Sequence, residues 1–355
     1  MRVAIMGAGA IGFGGAACLA RNGHEPVIWS PSGRGTAALA TGEPLVATGV
    51  ITGEFRPRVA ASCAEALADA EAVLVALPGN AHRLVFDAMA PHLSAEQIVL
   101  ISGHLSFGAL YLARLLAARN VKLPIVAWGT TVTTGRKRGA AAVHVNNLRQ
   151  KVDIATVPLA AAARGLATCQ ALFGDCFVPR DDLMAIAVSN LNPQNHLGIA
   201  LCNLTRMERG ERWSQNENVT DAVVRLLEAL DAERLAIAAK LGVAVRTIRE
   251  HYSLSFNVAP GPIGAMARQM HARGDATFGP TSLDTRYVLE DVPYGLVPPA
   301  RLGRLVEAPA RLHEAGIAIL SAAYGRDLAA ENDLLPAIGF ETLSLDDLRR
   351  LAREG

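Results

Sequence analysis

The sequence predicts an α/β protein in which a doubly wound parallel sheet is followed by an all-α C-terminal domain. In the first half of the chain, short apolar runs alternate with segments of helical periodicity, which is typical of a parallel sheet covered by helices. From about Asp181 onward, only helical periodicity remains. Because 355 residues exceed what one hydrophobic core usually holds, we predict two domains, residues 1–180 and residues 181–355.

The first half contains apolar runs with the length and composition of buried strands. These predicted strands are Val3–Met6, Pro26–Trp29, Ala72–Leu77, Ile98–Ser102 and Leu123–Trp128. Ile11–Arg21 and Ala64–Ala68 have helical spacing between them, Thr133–Arg138 interrupts the alternation, and Val143–Val157 adds strand-like sequence. In the second half, Asn192-Pro193 predicts a helix start with Asn192 as the N-cap, and a longer helix is expected from Thr220 to Gly242.

The composition excludes several classes of function. Lys and Arg number 34 and Asp and Glu number 33, so the formal charge is only +1 and we expect binding to neither nucleic acid nor anionic membranes. No stretch of about 18 uncharged apolar residues occurs, and the N-terminal sequence does not have the pattern of a signal peptide. The five cysteines form no C-x-x-C pair, which argues against a metal site and a disulfide framework. We therefore expect a soluble, cytoplasmic protein without a bound metal.

A glycine-rich turn follows the first predicted strand. Gly7, Gly9 and Gly12 stand in a G-x-G-x-x-G register, with Ala8, Ala10 and Ile11 between them. In this motif the first glycine permits a tight turn, the second leaves room for a pyrophosphate, and the third allows the helix to pack closely on the strand. The phosphates would bind the free N–H groups at the helix N-terminus. The turn predicts a Rossmann-type domain that binds a dinucleotide.

The end of the second predicted strand indicates which dinucleotide binds. The sequence there contains Ser30, Ser32 and Arg34, and it lacks the carboxylate that accepts hydrogen bonds from the ribose hydroxyls of NAD. Arg34 has a guanidinium suited to a 2′-phosphate. We therefore predict that NADP(H) is the preferred cofactor and that NAD(H) is possible. The alternative is that Arg34 is a solvated loop residue.

The next two strands also end in polar or turn-forming residues. Leu77, Pro78 and Asn80 follow one strand, and His104 follows the other. The carboxyl ends of strands in such a sheet form the ligand crevice. We assign the first three residues to the cofactor and His104 to the substrate, with a role as turn residues as the alternative.

His196 is the histidine with the best context for acid–base chemistry. It lies in the first turns of the helix predicted at Asn192-Pro193, among several amide side chains, and we assign Asn192 to the substrate. The helix dipole disfavours an imidazolium at this end, and a carboxylate partner would offset that effect. The segment 286–295 offers two candidate carboxylates.

Three segments resemble the octopine/nopaline dehydrogenase family. S-N-L-N-P-Q-N-H-L-G-I-A-L-C-N at residues 189–203 is similar to the N-P-x-x-H segment of the family and its following helix. Residues 228–243 resemble its D-x-E-R-x-x-x-A-x-x-L-G helix. G-P-T-S-L-D-T-R-Y-V-L-E-D-V-P-Y-G-L-V-P at residues 279–298 resembles its R-Y-x-x-E-D-x-P-Y-G-L-V-P signature, the most specific of the three.

The resemblance implies an opine dehydrogenase. In that reaction an amino acid amine condenses reversibly with a 2-oxo acid, and NAD(P)H reduces the imine to a secondary amine dicarboxylate. The resemblance also implies a catalytic pair in which His196 is the general acid/base and Asp291 orients it and compensates its charge. We assign Arg286 to a substrate carboxylate, because a guanidinium matches that group bidentately. An ion pair of Arg286 with Glu290 or Asp284 is the alternative.

The segment after the fifth predicted strand departs from the family pattern. Thr130 stands where the family has an oxo-acid-binding threonine, but residues 129–138 differ from the family's sequence and leave the oxo acid open. Arg136, Lys137 and Arg138 in this segment predict either contact with an anionic substrate or a 2′-phosphate, or a solvated loop. Leu197 follows the histidine where family members have proline.

Two other functions fit the glycine-rich turn. A ketopantoate-reductase-like or 3-hydroxyacid-dehydrogenase-like enzyme would rely on a catalytic lysine, for which only Lys240 is available in the helical half. A non-catalytic NADP(H)-binding regulator would need no acid/base pair. We expect small-molecule partners, an amino acid and a 2-oxo acid, and a homodimer.

Overall fold

The computed structural model describes residues 1–274 and 277–355 and divides the chain into two compact units. The first unit contains residues 1–186 and 346–355, and the second contains residues 187–345. The domain boundary predicted at residue 180 thus differs slightly, and the last ten residues were assigned to the wrong unit. They belong to the first unit because Leu348 and Ala352 are buried and Arg353 Nη1 lies 3.8 Å from Asp182 Oδ2.

The described residues form twelve β-strands and sixteen α-helices. The strands are β1 Arg2–Met6, β2 Glu25–Trp29, β3 Leu45–Gly49, β4 Gly53–Phe55, β5 Arg58–Val59, β6 Ala72–Val75, β7 Ile98–Ile101, β8 Ile125–Trp128, β9 Thr133–Gly139, β10 Ala142–Leu148, β11 Val152–Val157 and β12 Phe177–Pro179. The helices are α1 Ala10–Arg21, α2 Ala37–Ala40, α3 Cys63–Leu67, α4 His82–Met89, α5 Gly108–Ala117, α6 Ala162–Phe173, α7 Leu183–Ala187, α8 Asn192–Glu208, α9 Asp221–Leu241, α10 Ile248–Phe256, α11 Ile263–Ala272, α12 Arg286–Leu289, α13 Val297–Leu305, α14 Arg311–Tyr324, α15 Leu334–Ala337 and α16 Leu345–Glu354. None of these helices is long and apolar enough to cross a membrane.

The first unit is built on an eight-stranded sheet in the order β12-β11-β8-β7-β6-β1-β2-β5. The six strands from β8 to β5 are parallel, which confirms the predicted fold class. The chain leaves β1 toward β2 on one side and later adds β6 on the other. A reversal of strand order of this kind opens a ligand crevice at the carboxyl ends of the two central strands. β11 pairs antiparallel with β8, a departure from the predicted all-parallel sheet.

A second sheet in the first unit has the order β4-β3-β10-β9. The sequence did not predict it, and the interruption at Thr133–Arg138 is strand β9. β9 packs on α1. A Cβ on Gly14 of that helix would lie 3.0 Å from Thr133 Oγ1, so the absence of a side chain at Gly14 permits the contact. This sheet therefore lies beside the helix that begins at the glycine-rich turn.

The second unit is helical, and α9 begins after Thr220 and ends at Gly242, as predicted. Arg234 of this helix is fully buried, where its Nε donates to Asp231 Oδ1 at 3.0 Å and its Nη1 donates to Val188 O at 2.6 Å. The second oxygen of Asp231 accepts the N–H of Ile248 at 2.9 Å. The D-x-x-R pair in α9 therefore joins three segments of the unit through satisfied buried charges.

The start of α8 differs from the prediction by one position. The helix begins at Asn192, which is its first residue and not its N-cap. The side chain of Asn190 accepts the N–H of Asn192 at 3.1 Å and thereby satisfies a donor of the first turn.

Candidate active site

The glycine-rich turn has the tight geometry that its motif predicts. Gly7 has a φ of +126°, and its N–H donates to Trp29 O at 2.8 Å. A Cβ on Gly7 would lie 2.4 Å from Ala76 O, and one on Gly12 would lie 2.1 Å from Gly7 O. Both glycines are therefore required by contacts between β1, α1 and the end of β6.

Gly9 is a glycine for a different reason. A Cβ placed on it would have no atom of the described chain within 4 Å, so the turn is open at this point. Gly9 is the N-cap of α1, and no side chain caps the helix there. Ala10 and Ile11 follow as the first helical residues, and Ala8 is buried beneath the turn. The open space and the N–H groups at a helix N-terminus fit the pyrophosphate of a dinucleotide.

The loop after β2 contains the residues predicted to recognise the ribose. Ser32 and Arg34 are exposed, whereas Ser30 is 9% exposed. The Oγ of Ser30 is buried and finds no hydrogen-bond partner among residues 1–274 and 277–355. A buried hydroxyl without a partner is costly in free energy, which is typical of a ligand site. These residues fit a bound NAD(P).

The remaining predicted residues of the first unit have different surroundings. Leu77 is half-buried, Pro78 and Asn80 are exposed just after β6, and Thr130 is half-buried after β8. His104 is buried, and its Nε2 accepts the N–H of Ala109 at 3.2 Å near the start of α5. Burial lowers the pKa of His104 to about 3, so it is neutral. His104 Nδ1 is buried without a hydrogen-bond partner in the described part of the chain, and the assignment of His104 to the substrate stays a prediction.

The second unit brings His196 and Asp291 together. His196 Nδ1 lies 2.7 Å from Asp291 Oδ2, and the side chains are 12% and 1% exposed. His196 is in the second turn of α8, and Asp291 begins a π-helical turn at Asp291–Leu296. The other carboxylate oxygen, Asp291 Oδ1, is buried with no hydrogen-bond partner in the described part of the chain. A buried carboxylate that accepts from Nδ1 fixes the tautomer of the ring and leaves Nε2 for proton exchange.

Tyr287 is a part of this site to which the sequence analysis assigned no role. Its ring stacks on His196 with centroids 3.6 Å apart and an interplanar angle of 11°. Its hydroxyl donates to Gln215 Oε1 at 2.7 Å. Tyr287 and Asp291 are four residues apart, and that spacing places side chains on one helix face. This spacing, together with the tyrosine of the R-Y-x-x-E-D signature, is the sequence signal that points to Tyr287.

Arg286 extends the site toward solvent. Its Nε lies 3.2 Å from Glu290 Oε2 and 4.0 Å from Asp291 Oδ2, and its side chain is 57% exposed. The ion pair with Glu290, one of the two alternatives, is therefore formed. This ion pair occupies the Nε of Arg286, and the Arg286 side chain remains accessible to an anion. Asn192 is half-buried in the first turn of α8.

Close packing between Pro193 and Gly295 holds the helix of His196 and the turn of Asp291 together. A Cβ on Gly295 would lie 2.3 Å from Pro193 Cγ and 2.7 Å from Pro193 Cβ. Pro193 precedes His196 in α8, and Gly295 follows Asp291 in the π-helical turn. The proline of one family segment and the glycine of another are therefore a contacting pair.

A second histidine and carboxylate pair is buried near α8. His313 is fully buried, and its Nδ1 lies 2.8 Å from Glu233 Oε2. On its other side, His313 Nε2 is 3.2 Å from Gln194 Nε2. The sequence analysis gave His313 no function, and the structure places it where it connects α8, α9 and α14.

Both halves of the chain match families of known proteins. Residues 179–324 match the family described as NAD/NADP octopine/nopaline dehydrogenase, alpha-helical domain, and this segment contains His196, Tyr287 and Asp291. This match places the helical half of the chain in the octopine/nopaline dehydrogenase family. The chain is an NAD(P)-dependent oxidoreductase. Residues 2–104 match the N-terminal domain of NAD-dependent glycerol-3-phosphate dehydrogenase, as the glycine-rich turn leads us to expect.

Similar proteins extend the family match over nearly the whole chain. An opine dehydrogenase of Arthrobacter sp. (strain 1C) is 29% identical over 353 residues, which cover 98% of this chain and 97% of that protein. The structure of octopine dehydrogenase with NADH and agmatine has a TM-score of 0.79 at 16% identity, with 98% and 97% of the two chains covered. Yersinopine dehydrogenase with NADP⁺ has a TM-score of 0.67 at 15% identity, with 99% and 97% covered. These two structures share the fold of this chain.

Proposed function

We propose that this protein is an opine dehydrogenase that condenses the amine of an amino acid with a 2-oxo acid and reduces the imine with NAD(P)H. The observation that supports this proposal best is the 2.7 Å contact between His196 Nδ1 and Asp291 Oδ2. The opine dehydrogenase from Arthrobacter and the octopine dehydrogenase structures with L-arginine, agmatine and pyruvate support the choice of substrate classes.

In the proposed mechanism, His196 moves the proton at the reacting oxygen. Condensation releases water, so an acid must protonate the oxygen that leaves the oxo acid carbon, and His196 Nε2 donates that proton. In the reverse direction the same nitrogen accepts a proton from the attacking water. Asp291 stabilises the imidazolium and keeps the proton of the neutral ring on Nδ1, and Tyr287 holds the ring plane. Bound NAD(P)H supplies the hydride.

Arg286 is the proposed ligand of a substrate carboxylate. Opine substrates carry carboxylates, and the guanidinium forms charge-assisted hydrogen bonds with such groups. The exposed side chain already contacts Glu290, and its Nε lies 4.0 Å from Asp291 Oδ2. Asn192 and Thr130 are the weaker candidates for substrate contacts.

The alternative based on ketopantoate reduction lacks a catalytic lysine in a suitable place. Lys240 is exposed in the last turn of α9, where it is typical of a helix C-terminus. The alternative of a non-catalytic regulator does not account for a buried histidine–carboxylate pair. We propose NADP(H) as the preferred cofactor because the loop after β2 has Ser30, Ser32 and Arg34 and no ribose-binding carboxylate. A cytoplasmic homodimer remains our prediction from the sequence.

The test is NADPH oxidation at neutral pH with a matrix of amino acids and short 2-oxo acids, with NADH in parallel. The proposal requires consumption that depends on both organic partners together. Consumption with a 2-oxo acid alone would instead indicate a 2-hydroxy-acid dehydrogenase. No consumption with any pair, together with intact nucleotide binding, would favour the regulator.

A further inference from the structure

Lys137 is a cation at the cofactor end of the first unit that the family signatures do not include. It belongs to β9 of the second sheet, and its ammonium lies 4.2 Å from the centroid of the Phe13 ring in α1. Nζ donates to Ala8 O at 3.2 Å and to Gly35 O at 3.5 Å. The side chain therefore spans from the glycine-rich turn to the loop after β2.

The charge of Lys137 has no anionic partner in residues 1–274 and 277–355, because its polar contacts are carbonyl oxygens and an aromatic face. Burial lowers the pKa of Lys137, as expected for an ammonium without a carboxylate beside it. A phosphate at this position would supply the missing negative charge.

The surroundings of Lys137 Nζ indicate which phosphate group of the cofactor it would contact. Gly35 follows Arg34 in the loop where a Rossmann-type domain reads the ribose 2′ substituent. A Cβ on Gly35 would lie 2.9 Å from Ala8 Cβ and 3.6 Å from Ser30 Oγ, so the carbonyl-bearing Gly35 that Nζ contacts packs closely against Ser30, whose buried hydroxyl has no partner in the described residues. The pyrophosphate position is at Gly9, where the turn is open. Lys137 is thus grouped with the ribose end of the site.

We propose that Lys137 is a specificity residue that binds the 2′-phosphate of NADP(H) together with Ser30 and Arg34. This inference rests on the cofactor preference in the proposed function. It assigns recognition of the phosphate to a strand outside the parallel sheet, which the loop after β2 alone would not reveal.

β9 also offers a matched control. Lys137 pairs with buried Val143 across the β9–β10 ladder, whereas Arg136 pairs with His144. Adjacent residues of a strand point to opposite faces, so Arg136 carries the same charge on the face away from Val143. Lys137→Met keeps the aliphatic stem and removes the charge, and Arg136→Met removes one charge from the other face.

The experiment is calorimetric titration of wild type and both variants with 2′,5′-ADP, which has the 2′-phosphate, and with 5′-ADP, which has the pyrophosphate. We expect Lys137→Met to weaken 2′,5′-ADP binding by about 10- to 100-fold, the effect of a charge-assisted hydrogen bond, with 5′-ADP binding little changed. Lys137→Arg should restore most of the binding, and Arg136→Met should resemble wild type. Thermal unfolding of each variant monitors folding.

Two outcomes would overturn the proposal. Equal loss of both nucleotides in Lys137→Met would mean that Lys137 holds the pyrophosphate or the shape of the turn, and equal loss in Arg136→Met would mean general charge attraction. The titration is independent of turnover. If wild type condenses its substrates but binds 5′-ADP as tightly as 2′,5′-ADP, the inference fails while the proposed reaction stands.

Discussion

Replacing Gly295 by alanine tests whether the distance between His196 and Asp291 sets the activity. The added Cβ would lie 2.3 Å from Pro193 Cγ, whereas ordinary van der Waals contacts begin at 3.4 Å. The shortfall (3.4 minus 2.3) is 1.1 Å, which the backbone of the π-helical turn or of α8 has to supply. Because the contact lies between Pro193 of α8 and the turn that begins at Asp291, the shift is expected to separate His196 from Asp291.

The expected loss follows from that displacement. The bond from His196 Nδ1 to Asp291 Oδ2 is 2.7 Å and would lengthen beyond hydrogen-bonding range. A misplacement of about 1 Å in a catalytic group costs about 10²-fold in rate. We therefore expect kcat to fall about 100-fold, and the overpacking to reduce the free energy of unfolding by about 1–3 kcal/mol.

The assay is steady-state NADPH oxidation with the substrate pair that the matrix identifies, alongside urea unfolding of the same preparation. Gly261→Ala is the control, since a Cβ there has its nearest atom, Ala259 O, at 4.0 Å. Adding Pro193→Ala to Gly295→Ala removes the closer contact and should recover part of the rate. A folded Gly295→Ala enzyme with wild-type kcat would refute the reasoning.

Four further predictions concern single residues. His196→Ala should lower kcat by about 10²-fold or more without changing NADPH affinity, and near-normal turnover would exclude its role as acid/base. Asp291→Asn should lower kcat by about 10²-fold and shift the pH profile of kcat, and an unchanged profile would make Asp291 only structural. Arg34→Ala should weaken NADPH relative to NADH by about 10-fold in fluorescence titrations, and a constant ratio would contradict the predicted cofactor preference. Burial lowers the pKa of His104 from 6.5 to about 3, so below pH 6.5 the unfolded chain binds a proton that the folded chain does not, and stability should fall as the pH decreases. By pH 5 this amounts to about 2 kcal/mol in urea unfolding, and a His104→Gln variant with the same pH dependence would exclude His104 as its source.

Local rules explain which parts of the fold the sequence could predict. The parallel strands, the glycine-rich turn and the ends of α9 depend on residues close together in the chain, such as Thr220 before the helix and Gly242 with its positive φ of 75° after it. β9 was missed because its residues, including three consecutive cations, have the composition of a loop. It is a strand because β10 supplies its hydrogen bonds and Gly14 of α1 permits its approach.

The candidate site was predictable to a similar degree. The family signatures bring His196 and Asp291 to attention as a pair, but only the folded chain places Tyr287 against the ring and Pro193 against Gly295. The position of His104 after a strand predicts a ligand site, and only the folded chain shows that the ring is buried and that its Nε2 accepts the N–H of Ala109.

The sequence by itself determined the Rossmann-type sheet, the helical second half, the dinucleotide turn and the family, because each is encoded by residue types at short, fixed spacings. The tertiary structure alone decided that α16 joins the first unit, that His104 Nε2 accepts the N–H of Ala109, and that Lys137 reaches Ala8 and Gly35. These features depend on contacts between residues far apart in the chain. Such contacts are set by packing and burial, which no local pattern specifies.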